Sequence, residues 1–118
     1  MAYVDGFVLA VPTANREKYR EFAAISMPIF LKLGATRFME CWGDDVPHGK
    51  MTDFYRSVQA NEDETVVFSY IEWPDKATRD AGMARAMEEM PESMKEMPFD
   101  GQRMIYGGFQ PIVDDREA

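Results

Sequence analysis

Apolar and polar positions along the 118-residue chain repeat with two different periods, and each change of period marks an element. Tyr3 to Val11 is nearly continuous apolar, rich in β-branched and aromatic residues, which predicts a central strand covered on both faces. Period two puts Tyr3, Asp5, Phe7, Leu9 and Val11 on one face and Val4, Gly6, Val8 and Ala10 on the other. The second set is smaller, so a helix is expected to lie close against it. Asp5-Gly6 taken alone suggests a hairpin turn, but too few residues precede it to form a partner strand. Pro12 ends the strand.

Asn15 can cap a helix with Glu17 in its first turn. Tyr19, Phe22, Ala23, Ser26, Ile29 or Phe30, and Leu33 then recur at helical spacing up to Gly34, with Pro28 predicting a kink or break near Ser26. Ala35 to Trp42 is the second strand, with Arg37, Met39 and Cys41 alternating against Phe38, Glu40 and Trp42. Gly43 to Phe54 reads as a surface loop, Phe54 to Val58 as an extension of a hairpin, and Asn61 to Glu64 as a solvated bend. Thr65 to Trp73 is the strongest strand pattern, closed by Pro74. Asp75 caps a second helix with one stripe of Ala77, Ala81, Ala84 and Met87 or Glu88, and another of Met83, Met87, Met90, Met94 and Met97; Pro91 breaks it in the middle. At helical spacing a methionine stripe is core filling before it is a soft-metal site or partner surface. Arg103 to Val113 is the last strand, where Gly107-Gly108 predicts a bulge or a close backbone approach.

The order β-α-β-β-α-β predicts an α+β, ferredoxin-like protomer with a four-stranded antiparallel or mixed sheet and both helices on one face. Right-handed crossovers are expected to set the first and third strands side by side and parallel, with the fourth and second antiparallel on the flanks. The other face would then stay bare and apolar. A two-fold homodimer with sheets packed face to face, a dimeric α/β barrel, is the simplest cover.

Composition narrows the function classes. The chain, residues 1–118, is long enough for one domain that needs neither disulfide nor structural metal, and 46% apolar content suits a core. A net charge of −8 repels phosphate backbones and anionic lipid, so neither nucleic acid nor membrane is expected as a partner. Cys41 is the single cysteine, which excludes an internal disulfide and a cysteine-rich zinc site. With no basic n-region, and an early apolar run that stops at Pro12, a cytoplasmic location is expected.

Several words of the sequence carry a resemblance. Tyr3-Val-Asp-Gly-Phe7, Gly43-Asp-Asp-Val-Pro47 continuing to Gly49-Lys50 and Thr52-Asp-Phe54, Glu64-Thr-Val-Val-Phe-Ser69, and Met97-Pro-Phe-Asp-Gly101 running to Arg103-Met-Ile-Tyr-Gly-Gly-Phe109 resemble the YbaA-like family of small bacterial proteins, a family of unknown function. The resemblance spans the whole chain and implies a ferredoxin-like protomer of the dimeric α/β-barrel type. It implies no reaction and supplies no catalytic residues. Met27-Pro28 in the first helix and the methionine-rich second helix depart from that pattern.

The candidate chemistry is sparse. One histidine cannot build a three-histidine zinc site or an iron facial triad within one subunit. The Gly43 to Phe54 loop gathers His48 with Asp44, Asp45 and Asp53; these carboxylates are candidate ligand-binding groups, and a hydrogen-bonded turn is favoured over a metal. Cys41 and His48 are the residue types of a thiol nucleophile and its base, although a strand cysteine is ordinarily a small buried hydrophobe. Asp5, in a central strand, is a candidate acid or base if desolvated, and a structural carboxylate if paired with Arg37 or Arg103. Tyr106, beside Gly107-Gly108, could donate a hydrogen bond into the same cavity, so the candidate catalytic set is Asp5, His48 and Tyr106. Phosphate loops, nucleophile elbows and dinucleotide fingerprints are missing, and no cofactor is called for. Two functions follow: a small-molecule-binding protein or cofactor-independent enzyme, oxygenase- or isomerase-like, with a cavity between sheet and helices; or a non-catalytic dimeric interaction module. A hollow core with converging polar groups favours the first, and a solid core with polar residues paired among themselves favours the second.

Overall fold

The computed structural model describes residues 1–92 and 96–117; Met94 of the methionine stripe lies outside the described residues. The architecture is α+β. Four strands, β1 (Tyr3–Pro12), β2 (Arg37–Trp42), β3 (Glu64–Trp73) and β4 (Ile105–Phe109), form one open sheet in the order β2-β3-β1-β4. Among the described residues three α-helices accompany it: α1 (Arg16–Lys32), α2 (Phe54–Ser57) and α3 (Lys76–Glu89).

Every pairing in the sheet is antiparallel, including β1 with β3, which corrects the expected parallel pair. The reason is topological. The α1 crossover returns the chain in the direction of β1, and the reversal after β2 then inserts β3 antiparallel between the two. The last strand is also shorter than expected. Its register against β1 runs without a bulge from Val8↔Ile105 to Val4↔Phe109, so the glycine pair marks a close approach. A Cβ on Gly108 would lie 2.8 Å from Tyr3 Cε2 and 2.9 Å from Arg79 Nη2.

The two long helices, α1 and α3, lie on the face of Tyr3, Phe7, Leu9 and Val11, the reverse of the expected side. Leu9, Val11 and Val67 pack against Tyr19 and Ala23 of α1, while Ile71 and Trp73 pack with Ala35, Phe30 and Met83. The larger apolar set has more area to remove from water, and the close helix approach is supplied from the helix side. A Cβ on Gly82 of α3 would sit 2.6 Å from Trp73 Cζ3. That contact also sets the buried stripe of α3 at Gly82 and Ala86, leaving Ala77, Ala81 and Ala84 exposed and Met87 73% exposed.

Helix α1 runs through Pro28 without the break that was one of the two expected outcomes near Ser26, because Pro28 and the residue a turn before it, Ala24, are on the exposed side where water can serve the freed carbonyl. Gly34, at φ 114°, follows its last residues and ends it as expected. Asn15 precedes α1 without capping it and instead donates to the Pro98 carbonyl at 3.1 Å. Helix α3 stops at Glu89, before Pro91, and residues 93–95 of the expected continuation lie outside the described residues. Phe54–Ser57 is helical, not a strand, since Asp53 accepts the Arg56 N–H at 2.8 Å and nucleates the turn. Glu64 is likewise no solvated residue: its side chain is buried in a bidentate pair with Arg103, both contacts at 2.7 Å.

On the opposite face, α2 covers one end, where Val58 packs on Ala10 and Val66. The remainder is open: Met39, Cys41, Phe68, Tyr70, Ile105 and Phe109 share it, with Phe109 62% exposed. No helix among the described residues is long and apolar enough to cross a membrane.

Candidate functional site

Alternation in β2 turns Phe38, Glu40 and Trp42 toward the helices. Glu40 is therefore a carboxyl group on the core side of the sheet, between two aromatic residues. The stripe of α1 brings Tyr19 over it, and Tyr19 Oη donates to Glu40 Oε1 at 2.6 Å. Ser69, buried on β3 directly opposite Glu40, contributes a second hydrogen bond. Burial pushes the Glu40 carboxyl above the ordinary glutamate range, and the bonds from Tyr19 and Ser69 oppose that rise without cancelling it. Burial, and then the Glu40 charge, hold the Tyr19 phenol far above its usual value, so it stays a neutral donor.

A pocket of about 240 Å³ opens beside this pair, between α1 and β2, with Tyr19 and Glu40 in its lining, Ala23 and Val67 as apolar wall, and Arg16, Arg20 and Trp42 at its rim. The Arg16 guanidinium lies 5.6 Å from the centre of the Trp42 ring. Arg20 is paired with Glu17 at 2.9 Å. The site thus combines a carboxyl group whose pKa is raised by burial, a fixed phenolic donor, an apolar wall and a cationic rim.

The residues proposed from sequence are placed elsewhere. Asp5 is 2% exposed and fully engaged: Trp73 Nε1 donates to Oδ2 at 2.9 Å, Arg79 Nη2 to Oδ1 at 2.8 Å, and Arg79 Nε to both oxygens at 3.1 Å. Its partner is Arg79 of α3, neither Arg37 nor Arg103. The hydrogen bonds it donates to Asp5 and Asp80 hold the Arg79 guanidinium still more firmly protonated. Tyr106 is 72% exposed on the edge strand, stacked on Phe7 with ring centres 6.4 Å apart.

The loop does bring His48 and Asp53 together. His48 Nδ1 lies 3.7 Å from Asp53 Oδ2 and its ring stacks on Tyr55 at 4.3 Å, with the side chain 78% exposed. Asp53 accepts from the Gly49 N–H at 3.1 Å as well as capping α2, and these bonds, that of Arg56 first, draw its carboxyl below the usual range. Tyr55 Oη closes the turn on the Val46 carbonyl at 2.6 Å. Asp44 and Asp45 are exposed. Cys41 faces Phe68 on the open side of the sheet, whereas His48 is spent on Tyr55 and Asp53. Among the described residues, no three His, Cys, Asp or Glu side chains converge where a metal could be held.

Sequence relationships agree with the resemblance. A family described as "Protein of unknown function (DUF1428)" matches residues 2–101. The chain belongs to this family. It is 54% identical over 117 residues to the uncharacterized protein YbaA of Escherichia coli K12, covering 98% of this chain and all of the relative, and the same figures hold for YbaA of Shigella flexneri. The family carries no assigned reaction, so the chemistry of the pocket rests on its own geometry.

Proposed function

We propose that the protein binds, and in its enzymatic form transforms without a cofactor, a small, partly apolar molecule in the pocket between α1 and the sheet, with Glu40 and Tyr19 as its polar groups. The observation that carries this is the 2.6 Å Tyr19–Glu40 hydrogen bond in the lining of a hollow. A half-buried carboxyl group beside an open volume has desolvation to regain from a ligand. In an oxygenase- or isomerase-like reaction Glu40 would exchange the proton.

The same reading takes the protomer as ferredoxin-like and the working unit as a two-fold dimer, a dimeric α/β barrel, in which the open sheet face with Phe68 and Phe109 is covered by its partner. Light scattering at micromolar concentration tests the dimer, and a monomeric mass contradicts it. For the pocket, the test is a thermal-shift screen of small metabolites. Ligands binding only the folded state add about 2.7 kcal/mol at a hundredfold excess over Kd. Hits should disappear in Ala23→Leu, which fills the pocket, and weaken in Glu40→Gln. The rival reading, a non-catalytic dimeric interaction module, draws on the pairing of Asp5 and Glu64 within the protein; hits indifferent to both variants, or none from a broad library, would favour it.

A further inference from the structure

The pocket's rim carries a charge that its floor does not use. Arg20, Arg56, Arg79, Arg85, Arg103 and Arg116 each pair with a carboxylate. Although the chain holds 21 acids against 13 bases, Arg16 and the exposed Arg37 have no carboxylate partner among the described residues, and of the two only Arg16 lines the pocket. It is held over the face of Trp42, a position that leaves its N–H groups unspent while the ring fixes its place. Glu40 in the same pocket is engaged by Tyr19 and Ser69 rather than by Arg16. Cation and acid thus line one pocket without pairing with each other, and Ala23 and Val67 supply apolar lining beside them.

We infer that the pocket takes a small organic monoanion with a flat apolar body, its carboxylate or equivalent group received by Arg16 at the rim and its body lying along Trp42, Ala23 and Val67 toward Glu40 and Tyr19. This rests on the reading of the pocket as a small-molecule site. Arginine suits the task because its planar donors match a carboxylate in a fork. Trp42, already beneath that guanidinium, offers a flat surface for the adjoining body. A volume of about 240 Å³ matches a single-ring acid in size.

The test is a calorimetric titration of benzoate and of its neutral isostere benzamide into the intact protein and into Arg16→Ala and Arg16→Lys. Benzoate should bind at least about tenfold more tightly than benzamide. Arg16→Ala should abolish that preference, and Arg16→Lys should restore part of it. Equal binding of the two, or a preference unchanged in Arg16→Ala, overturns the anion assignment while leaving the pocket intact as a site. Absence of binding by benzoate also overturns it, and the wider reading is then judged separately by the metabolite screen with Ala23→Leu.

Discussion

Replacing Asp5 by alanine separates a structural from a chemical role for the most buried carboxylate in the sheet. The substitution removes the acceptor of Trp73 Nε1, whose residue is 0% exposed, and strips Arg79 of a bidentate partner. Leaving a buried donor unpaired costs about 1–3 kcal/mol, and breaking a buried ion pair about 3–5 kcal/mol. These costs overlap, and Arg79 keeps 23% of its side chain exposed and a second contact to Asp80 at 3.0 Å, so water offsets part of the loss. We expect a destabilisation of about 3–4 kcal/mol in urea melts, or roughly 10–15 °C in Tm for a domain of this size. Asp5→Asn, which can still accept from Trp73, should lose about half as much, since only the charge is removed. A double-mutant cycle with Arg79→Met should return a coupling of at least about 1.5 kcal/mol. A loss below about 1 kcal/mol for Asp5→Ala, or additive effects of the two substitutions, would refute the clamp.

Other expectations follow from single contacts. Gly82→Ala should destabilise by about 1–3 kcal/mol in thermal melts despite alanine's better helix propensity, because the new Cβ meets Trp73 ring atoms at 2.6 and 2.7 Å. Glu64 and Glu40 should show opposite pH dependences. Arg103 holds Glu64 below its unfolded range, so its contribution is present above the unfolded pKa of about 4.3 and lost as pH falls through the folded value. Burial raises Glu40, so its contribution is present below the unfolded pKa and lost as pH rises through the folded value. Urea melts between about pH 4 and 8 should therefore show Glu40→Gln gaining on the wild type toward high pH, while the deficit of Glu64→Gln shrinks toward low pH. Phe68→Asp, on the open face at 47% exposure, should turn a dimeric elution profile monomeric while leaving the far-UV circular dichroism unchanged.

The two central strands were legible because their apolar runs are long and clean: Tyr3 to Val11 and Thr65 to Trp73 fall within a residue of the observed strands. The side on which the helices pack was not legible from side-chain size along β1 alone, since the deciding close approach is made by Gly82 in α3. Asp5 could be marked as a buried-strand carboxylate, but its partner lies 74 residues away and depends on the rotation of α3. The short helix α2 had a local signal that was available, an Asp capping the N–H three residues on. Glu40 was also visible, as the one acid alternating with Phe38 and Trp42 on a strand's apolar face. A carboxylate in that pattern must be either paired or functional. What no pattern in β2 could supply was Tyr19, which meets it only after α1 folds back across the sheet.

The most direct measurement is a map of backbone and Trp42 indole NMR shifts as benzoate and the first screening hits are titrated into the isotope-labelled protein. A small-molecule site beneath α1 predicts saturable shifts concentrated at Ala23, Glu40, Trp42 and Val67, the residues around the pocket, and their loss in Ala23→Leu. Saturable shifts confined to the open sheet face at Phe68 and Phe109, with the pocket resonances unmoved, would contradict it.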